Sequence, residues 1–153
     1  SQFLFLQQVR ELQIIAFWIA DPLSVTEDTF DMWADRVINS ELAEQAAQGL
    51  LCKIETIDAL LDRWCSSGNE LAAYAALLAA SRSDKISDKA VQRAVNNTVT
   101  HFSDNHLAAQ GLSRLLSAEI VKNRALVADI LASLPDNKTA NSVREEIAWQ
   151  LEY

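Results

Sequence analysis

Residues 38–80 read INSELAEQAAQGLLCKIETIDALLDRWCSSGNELAAYAALLAA, and this stretch decides the fold. Apolar side chains recur every three or four positions through three successive segments, which is the spacing of amphipathic helices. Asn39 or Ser40 can cap the first segment and Asn69 the third, because short polar side chains accept hydrogen bonds from the free N–H groups at a helix start. Ser-Ser-Gly at 66–68 separates the last two segments. The stretch therefore predicts three consecutive helices.

The same periodicity predicts six further helices, two before this stretch and four after it. They run over 2–20, from Ser24 or Thr26 to Val37, from Ser87, from Ser103, over 123–133 and from Thr139. With only three glycines and two prolines, the composition favours an all-α protein. Short helices with brief connections indicate stacked antiparallel pairs. We expect one domain over 1–153 that forms an α-solenoid of HEAT-like helix pairs, with an irregular helical bundle as the alternative.

The first predicted helix carries apolar side chains at helical spacing, and these are expected to face the core. They are Phe3, Leu6, Val9, Leu12, Ile15 and Ile19. Because little of the chain is left to cover the FLFL segment at 3–6, the same residues also make a homodimer an alternative.

The net charge of −8 is unevenly distributed along the chain. Residues 1–80 carry four basic and twelve acidic side chains, whereas residues 81–153 carry nine of each. A protein that binds duplex DNA usually presents a basic face, and the N-terminal half would repel phosphate. The charge distribution therefore favours a protein partner, a basic one included, over DNA.

Cys52 and Cys65 are thirteen positions apart and have no CxxC motif or neighbouring histidine. They are expected to be reduced, buried thiols, which places the protein in the cytoplasm. No apolar run reaches the roughly 18 residues that a membrane span needs, so no membrane partner is expected. The sequence contains no nucleotide-binding glycine loop and no zinc-binding motif, and no cofactor or metal is predicted.

Three segments resemble the AlkD-like DNA alkylation repair family, whose HEAT-like repeats form a concave cradle for DNA. They are VINSELAEQA at 37–46, IDALLDRWCSSGNELAAYAAL at 57–77 and NSVREEIAWQL at 141–151. The resemblance implies a helical-repeat fold that lacks an N-terminal helix of the family. It also implies that Trp33 and Trp64 belong to the region that lines the cradle, where either could contact a partner.

The chain departs from the family pattern at the positions that carry its chemistry. Glu44 stands at the place of the catalytic aspartate, and Ser40 replaces an aromatic residue. The two phosphate-gripping arginines fall on Ala72 and Ala73. Alanine cannot hold a phosphate, and a longer carboxylate arm displaces the oxygens that would stabilise positive charge on the sugar. We therefore expect no glycosylase activity; if any were retained, Glu44 would be its catalytic residue.

Two charged clusters are the remaining candidate sites. Lys85, Lys89 and Arg93 form a basic stripe along the sixth helix and are the best candidates for phosphate contact, although Asp84 and Asp88 interleave with them. Four carboxylates, Glu41, Glu44, Glu55 and Asp58, could instead serve acid–base or metal chemistry, or form a solvated acidic face.

The sequence leads to a ranked set of functions. The first is a non-catalytic scaffold that binds a protein partner through the concave face. The alternative is a DNA-binding or DNA alkylation repair protein that recognises damaged DNA through Glu44 and the basic stripe. An enzyme that uses the four carboxylates ranks last.

Overall fold

A computed structural model describes residues 2–152, and within this range the chain forms nine α-helices and no strand, which confirms the all-α prediction. Two short 3-10 helices lie at Pro22–Ser24 and Leu51–Lys53. The α-helices are α1 (Gln2–Ile19), α2 (Phe30–Asp35), α3 (Ser40–Gly49), α4 (Ile57–Trp64), α5 (Glu70–Arg82), α6 (Asp88–His101), α7 (His106–Lys122), α8 (Arg124–Ser133) and α9 (Lys138–Leu151). None of the helices in the described range is long and apolar enough to cross a membrane.

The helices pack in two series. In one series α1 contacts α3, α3 contacts α5, α5 contacts α7 and α7 contacts α9. In the other series α4 contacts α6 and α6 contacts α8, and the two series meet where α4 packs on α5 and α8 packs on α7 and α9. The hydrophobic core lies between them, so each helix of the first series has one face in the core and one face turned away from the second series.

Four helices of the first series start in the same way. The side-chain oxygens of Asn39, Asn69, Asn105 and Asn137 each accept a hydrogen bond from the backbone N–H three residues later, at 2.8 to 3.1 Å. The asparagine caps of α3 and α5 agree with the sequence. The predicted caps Ser103 and Thr139 are wrong: Asn105 and Asn137 cap α7 and α9, and Thr139 Oγ1 accepts instead from the Asn105 N–H at 2.8 Å.

The segment before α2 also differs from the prediction. Neither Ser24 nor Thr26 caps this helix, which begins only at Phe30. The Thr29 hydroxyl donates to the Ser24 carbonyl at 2.8 Å and accepts from the Thr26 N–H at 2.9 Å. These local bonds hold the chain in turns, because a hydroxyl competes with the helix for nearby backbone groups. The predicted break before α5 is present, and Gly68 supplies it with a φ of 80°, which favours glycine.

Four ion pairs join residues at a nearly constant separation in the sequence. Arg10 pairs with Glu41 and Lys85 with Glu55, and the paired residues are 31 and 30 positions apart. Arg63 pairs with Asp31 and Arg93 with Asp62, at separations of 32 and 31. Each of these pairs therefore joins two segments that are about 30 residues apart in the sequence.

The apolar residues of α1 do not form the expected core face. Only Phe17 is buried on this helix, where its ring packs against Trp33, and Ile14 is partly buried. The exposed large apolar side chains of α1 are Phe3, Leu4, Phe5, Leu6, Leu12, Ile15, Trp18 and Ile19. The physical reason is that α1 stands at the end of its series and packs mainly against α3. The homodimer that would cover this surface stays a prediction.

A buried carboxylate in α7 gives a testable pH dependence. Glu119 is 2% exposed, and its Oε1 accepts no hydrogen bond, with Lys122 Nζ 3.6 Å away. Burial raises the pKa of Glu119, while Lys122 lowers it and Asp88 raises it further. A raised pKa in the folded state means that the carboxylate favours folding at acid pH, and that this contribution is lost as the pH rises through the raised pKa.

We therefore expect Glu119→Gln to raise the free energy of unfolding at pH 7 by about 1 kcal/mol, because a neutral amide avoids the cost of a buried charge. At pH 4, where the carboxylate is protonated in the folded state, the gain should disappear. Urea denaturation at both pH values measures this, with the exposed Glu145→Gln as the control. A loss of stability at pH 7 would mean that the contact with Lys122 outweighs the burial cost.

Candidate partner-binding groove

Helix α5 is the floor of a groove on the outer side of the first series. Residues 72–80 are all buried, because six of the nine are alanines, whose small side chains let α3 and α7 approach closely on either side. Gly111 on α7 makes the same approach possible from the other helix: a Cβ at this position would lie 3.0 Å from Leu77 Cδ1. The flanking helices therefore rise above α5.

A hydrogen bond joins α5 to α3 at the floor of this groove. The buried phenol of Tyr74 donates to Glu44 Oε1 at 3.1 Å. Burial raises the pKa of the Tyr74 hydroxyl, the bond to the Glu44 carboxylate raises it further, and the positive charge of Arg114 lowers it. Glu44, the predicted catalytic residue, is thus an exposed carboxylate held by a tyrosine, and its catalytic role stays a prediction.

Two depressions continue across the same helices, and we call them together the groove. The smaller has a volume of about 190 Å³ and lies over α3, α5 and α7; it is lined by Glu44, Gln45, Gln48, Leu78, Arg82 and Arg114. The larger has about 400 Å³ and lies between α7 and α9; it is lined by His106, Ala109, Gln110, Ser113, Arg114, Ser117, Ser142 and Glu146. Arg114 lines both depressions, so they adjoin at this residue.

The basic stripe lies away from this groove, and the prediction that it runs along one helix is wrong for Lys85: Lys89 and Arg93 are on α6 in the second series, whereas Lys85 precedes this helix, which begins at Asp88. Lys85 Nζ donates to Glu55 at 2.7 Å, and Arg93 forms two hydrogen bonds with the Asp62 carboxylate at 2.9 and 3.1 Å. The bond to Asp62 also raises the pKa of Arg93. Lys89 is exposed and forms no ion pair with a residue in the range 2–152. Two of the three residues therefore have acidic partners within the chain, and a phosphate would have to displace them.

The two tryptophans predicted to contact a partner lie in the core. Trp64 is 1% exposed and Trp33 is 5% exposed, and both indole N–H groups are buried without a hydrogen-bond acceptor. The guanidinium of Arg36 lies over the Trp33 ring, 4.9 Å from its centroid. Neither ring is therefore accessible to a macromolecule, because Trp64 packs α4 and Trp33 packs α2 against the core.

The four candidate carboxylates are dispersed. Each has its own partner: Glu41 binds Arg10, Glu44 binds Tyr74, Glu55 binds Lys85 and Asp58 accepts from Ser87. Across residues 2–152 no group of three or more His, Cys, Asp or Glu side chains is placed to hold a metal ion. Cys65 is buried and desolvation raises the pKa of its thiol to about 12, which makes it a poor nucleophile.

The sequence reasoning missed several groove residues, although a signal for them exists. Aligning the four asparagine caps places Glu44, Tyr74, Gln110 and Ser142 at the fifth position after each cap, and Gln48, Leu78, Arg114 and Glu146 at the ninth. All eight positions lie on one face of their helices, because five and nine differ by about one helical turn. Seven of the eight line the two depressions, and the eighth, Tyr74, bonds to Glu44 beneath them.

Ala72 and Ala73 are both fully buried. They occupy the positions of the two phosphate-binding arginines in the family that the chain resembles.

Comparison with known proteins finds no match to any family model, to any curated protein or to any solved structure.

Proposed function

We propose that this protein is a non-catalytic scaffold, a HEAT-like α-solenoid that binds a segment of a protein partner in the groove on its concave face. The observation that supports the proposal is the groove itself: equivalent positions of α3, α5, α7 and α9 line two adjoining depressions that share Arg114. Helical-repeat proteins use such extended surfaces for binding.

The lining of the groove suits a polypeptide backbone. Gln48 and Gln110 have amide side chains for which no hydrogen-bond partner occurs in the described chain, and an amide can both donate to a carbonyl and accept from an N–H group. Leu78 adds an apolar floor between them. A segment that lies across the helices could therefore satisfy its backbone groups at successive repeats.

Duplex DNA fits the surface less well than a peptide does. The groove contains two carboxylates, Glu44 and Glu146, and two of the three residues of the basic stripe, Lys85 and Arg93, are paired within the chain. A run of phosphates would meet acidic side chains on one surface and occupied cations on the other. We do not propose glycosylase activity, because the positions that bind phosphate through arginines in the family that the chain resembles are buried alanines here.

Selection of peptides from a random 12-residue display library tests the proposal. We expect the parent protein to enrich a family of peptides, and Gln110→Trp to reduce their affinity about tenfold or more, because an indole at this exposed position would fill the larger depression.

The matched control is Gln92→Trp, which places the same ring on the exposed face of α6 in the second series and should leave the affinity unchanged. Fluorescence anisotropy with a labelled peptide gives the affinities, and circular dichroism confirms that both variants are folded. Equal binding by the parent and Gln110→Trp, or no enriched peptides, would refute groove binding.

A further inference from the structure

Nearly all basic side chains of this acidic protein are engaged within the chain. Of the thirteen, six form ion pairs with carboxylates, namely Arg10, Arg63, Lys85, Arg93, Lys122 and Lys138. Arg36 and Lys53 lie over tryptophan rings, and Arg124 and Arg144 donate to backbone carbonyls. Within residues 2–152 this leaves Arg82, Lys89 and Arg114 without an ion pair, a hydrogen bond or a contact with an aromatic ring.

The two unpaired arginines meet in one place. Arg82 lies at the C-terminal end of α5 and Arg114 in the middle of α7, and both line the smaller depression of the groove. Both are exposed, whereas the third unpaired cation, Lys89, is on α6 in the other series. In a chain with 21 acidic side chains, two neighbouring arginines without a carboxylate partner mark a place where an anion would find unused hydrogen-bond donors.

We propose that the groove recognises an acidic peptide, and that Arg82 and Arg114 together hold one carboxylate of it. This inference rests on the proposed function and names the chemistry of the partner. A guanidinium presents a planar fork of N–H donors that matches the two oxygens of a carboxylate, so two guanidinium groups can bind one carboxylate from two sides.

The acidic side chains beside the two arginines also limit the size of the anion that can bind there. Glu44 lines the same depression as both arginines, and Glu146 lines the larger depression beside Arg114. A single carboxylate on a peptide can bind between these acids, while a chain of phosphates would be repelled on both sides. The local charge of the groove therefore differs from the net charge of −8, which by itself favours a basic partner.

The test repeats the peptide selection with the double variant Arg82→Glu/Arg114→Glu. The parent should enrich peptides that share an aspartate or glutamate at one position, and the variant should lose that preference and select lysine or arginine there. For the best parent peptide, replacing the shared acid by its amide should weaken binding to the parent about tenfold and should strengthen binding to the double variant, because the amide removes the repulsion between like charges. Lys89→Glu is the control and should keep the acidic preference.

The outcomes separate this inference from the proposed function. Suppose that peptides are enriched and that Gln110→Trp blocks their binding. If the parent then shows no preference for an acid, or if the double variant shows the same preference as the parent, the carboxylate site is overturned and groove binding stands. If a 20-base-pair duplex displaces the acidic peptide at a lower concentration than unlabelled peptide does, the carboxylate site is overturned in favour of a nucleic-acid site. If no enriched peptide is blocked by Gln110→Trp, the proposed function fails as well.

Discussion

Replacing Trp64 with alanine is expected to lower the free energy of unfolding by about 4 kcal/mol. Trp64 ends α4 and is among the largest fully buried side chains, with 1% of its surface exposed. Removing an indole from a closely packed interior forfeits the transfer free energy of the ring and leaves a cavity that the surrounding helices fill only in part. Urea denaturation followed by circular dichroism at 222 nm measures the change.

Two further variants show whether burial is the cause. Trp149→Ala removes the same ring from a position on α9 that is 64% exposed, and it should cost much less. Trp64→Phe should fall between the parent and Trp64→Ala, because it keeps an aromatic ring and removes an N–H group that has no acceptor. If Trp64→Ala were as stable as the parent, the tryptophan could not be a core residue, and its predicted role in binding a partner would return.

Introducing leucine at Gly111 is expected to destabilise the protein by about 3 kcal/mol, because the space between α5 and α7 is already filled. A Cβ at this position would lie 3.0 Å from Leu77 Cδ1, 3.1 Å from Leu77 Cβ and 3.3 Å from Tyr74 Cδ1. Leu77 and Tyr74 are themselves buried and cannot turn into solvent. The two helices would have to separate, and α5 and α7 form the most extensive helix contact of the described chain.

Gly111→Ala distinguishes close packing from a simple effect on the helix. In an exposed helix this change stabilises by about 1 kcal/mol, because glycine has the greater backbone freedom to lose. Here the tight contact with Leu77 opposes that gain, so we expect less than the full benefit. A Gly111→Leu variant with parental stability would contradict the packing of α5 against α7.

Much of the candidate site was beyond sequence reasoning, and the reason is specific. The basic stripe at Lys85, Lys89 and Arg93 is visible in the sequence because its members are one helical turn apart, but the acids that occupy Lys85 and Arg93 lie 30 and 31 residues earlier. Arg114 was missed for the same reason: it stands out because it has no such partner, and the sequence does not show which residues pair across helices. Trp33 and Trp64 were predicted as possible contacts because helical spacing identifies an apolar face and does not say whether another helix covers it.

The sequence by itself determined the all-α class, the approximate helix boundaries and the asparagine caps of α3 and α5. These features depend on interactions between residues three or four apart, which a sequence displays directly. Only the tertiary structure decided which face of α1 is exposed, which cations remain unpaired and where the groove lies. Those outcomes depend on contacts between residues about 30 positions apart in the chain, and the equivalent positions after the four asparagine caps carry different side chains.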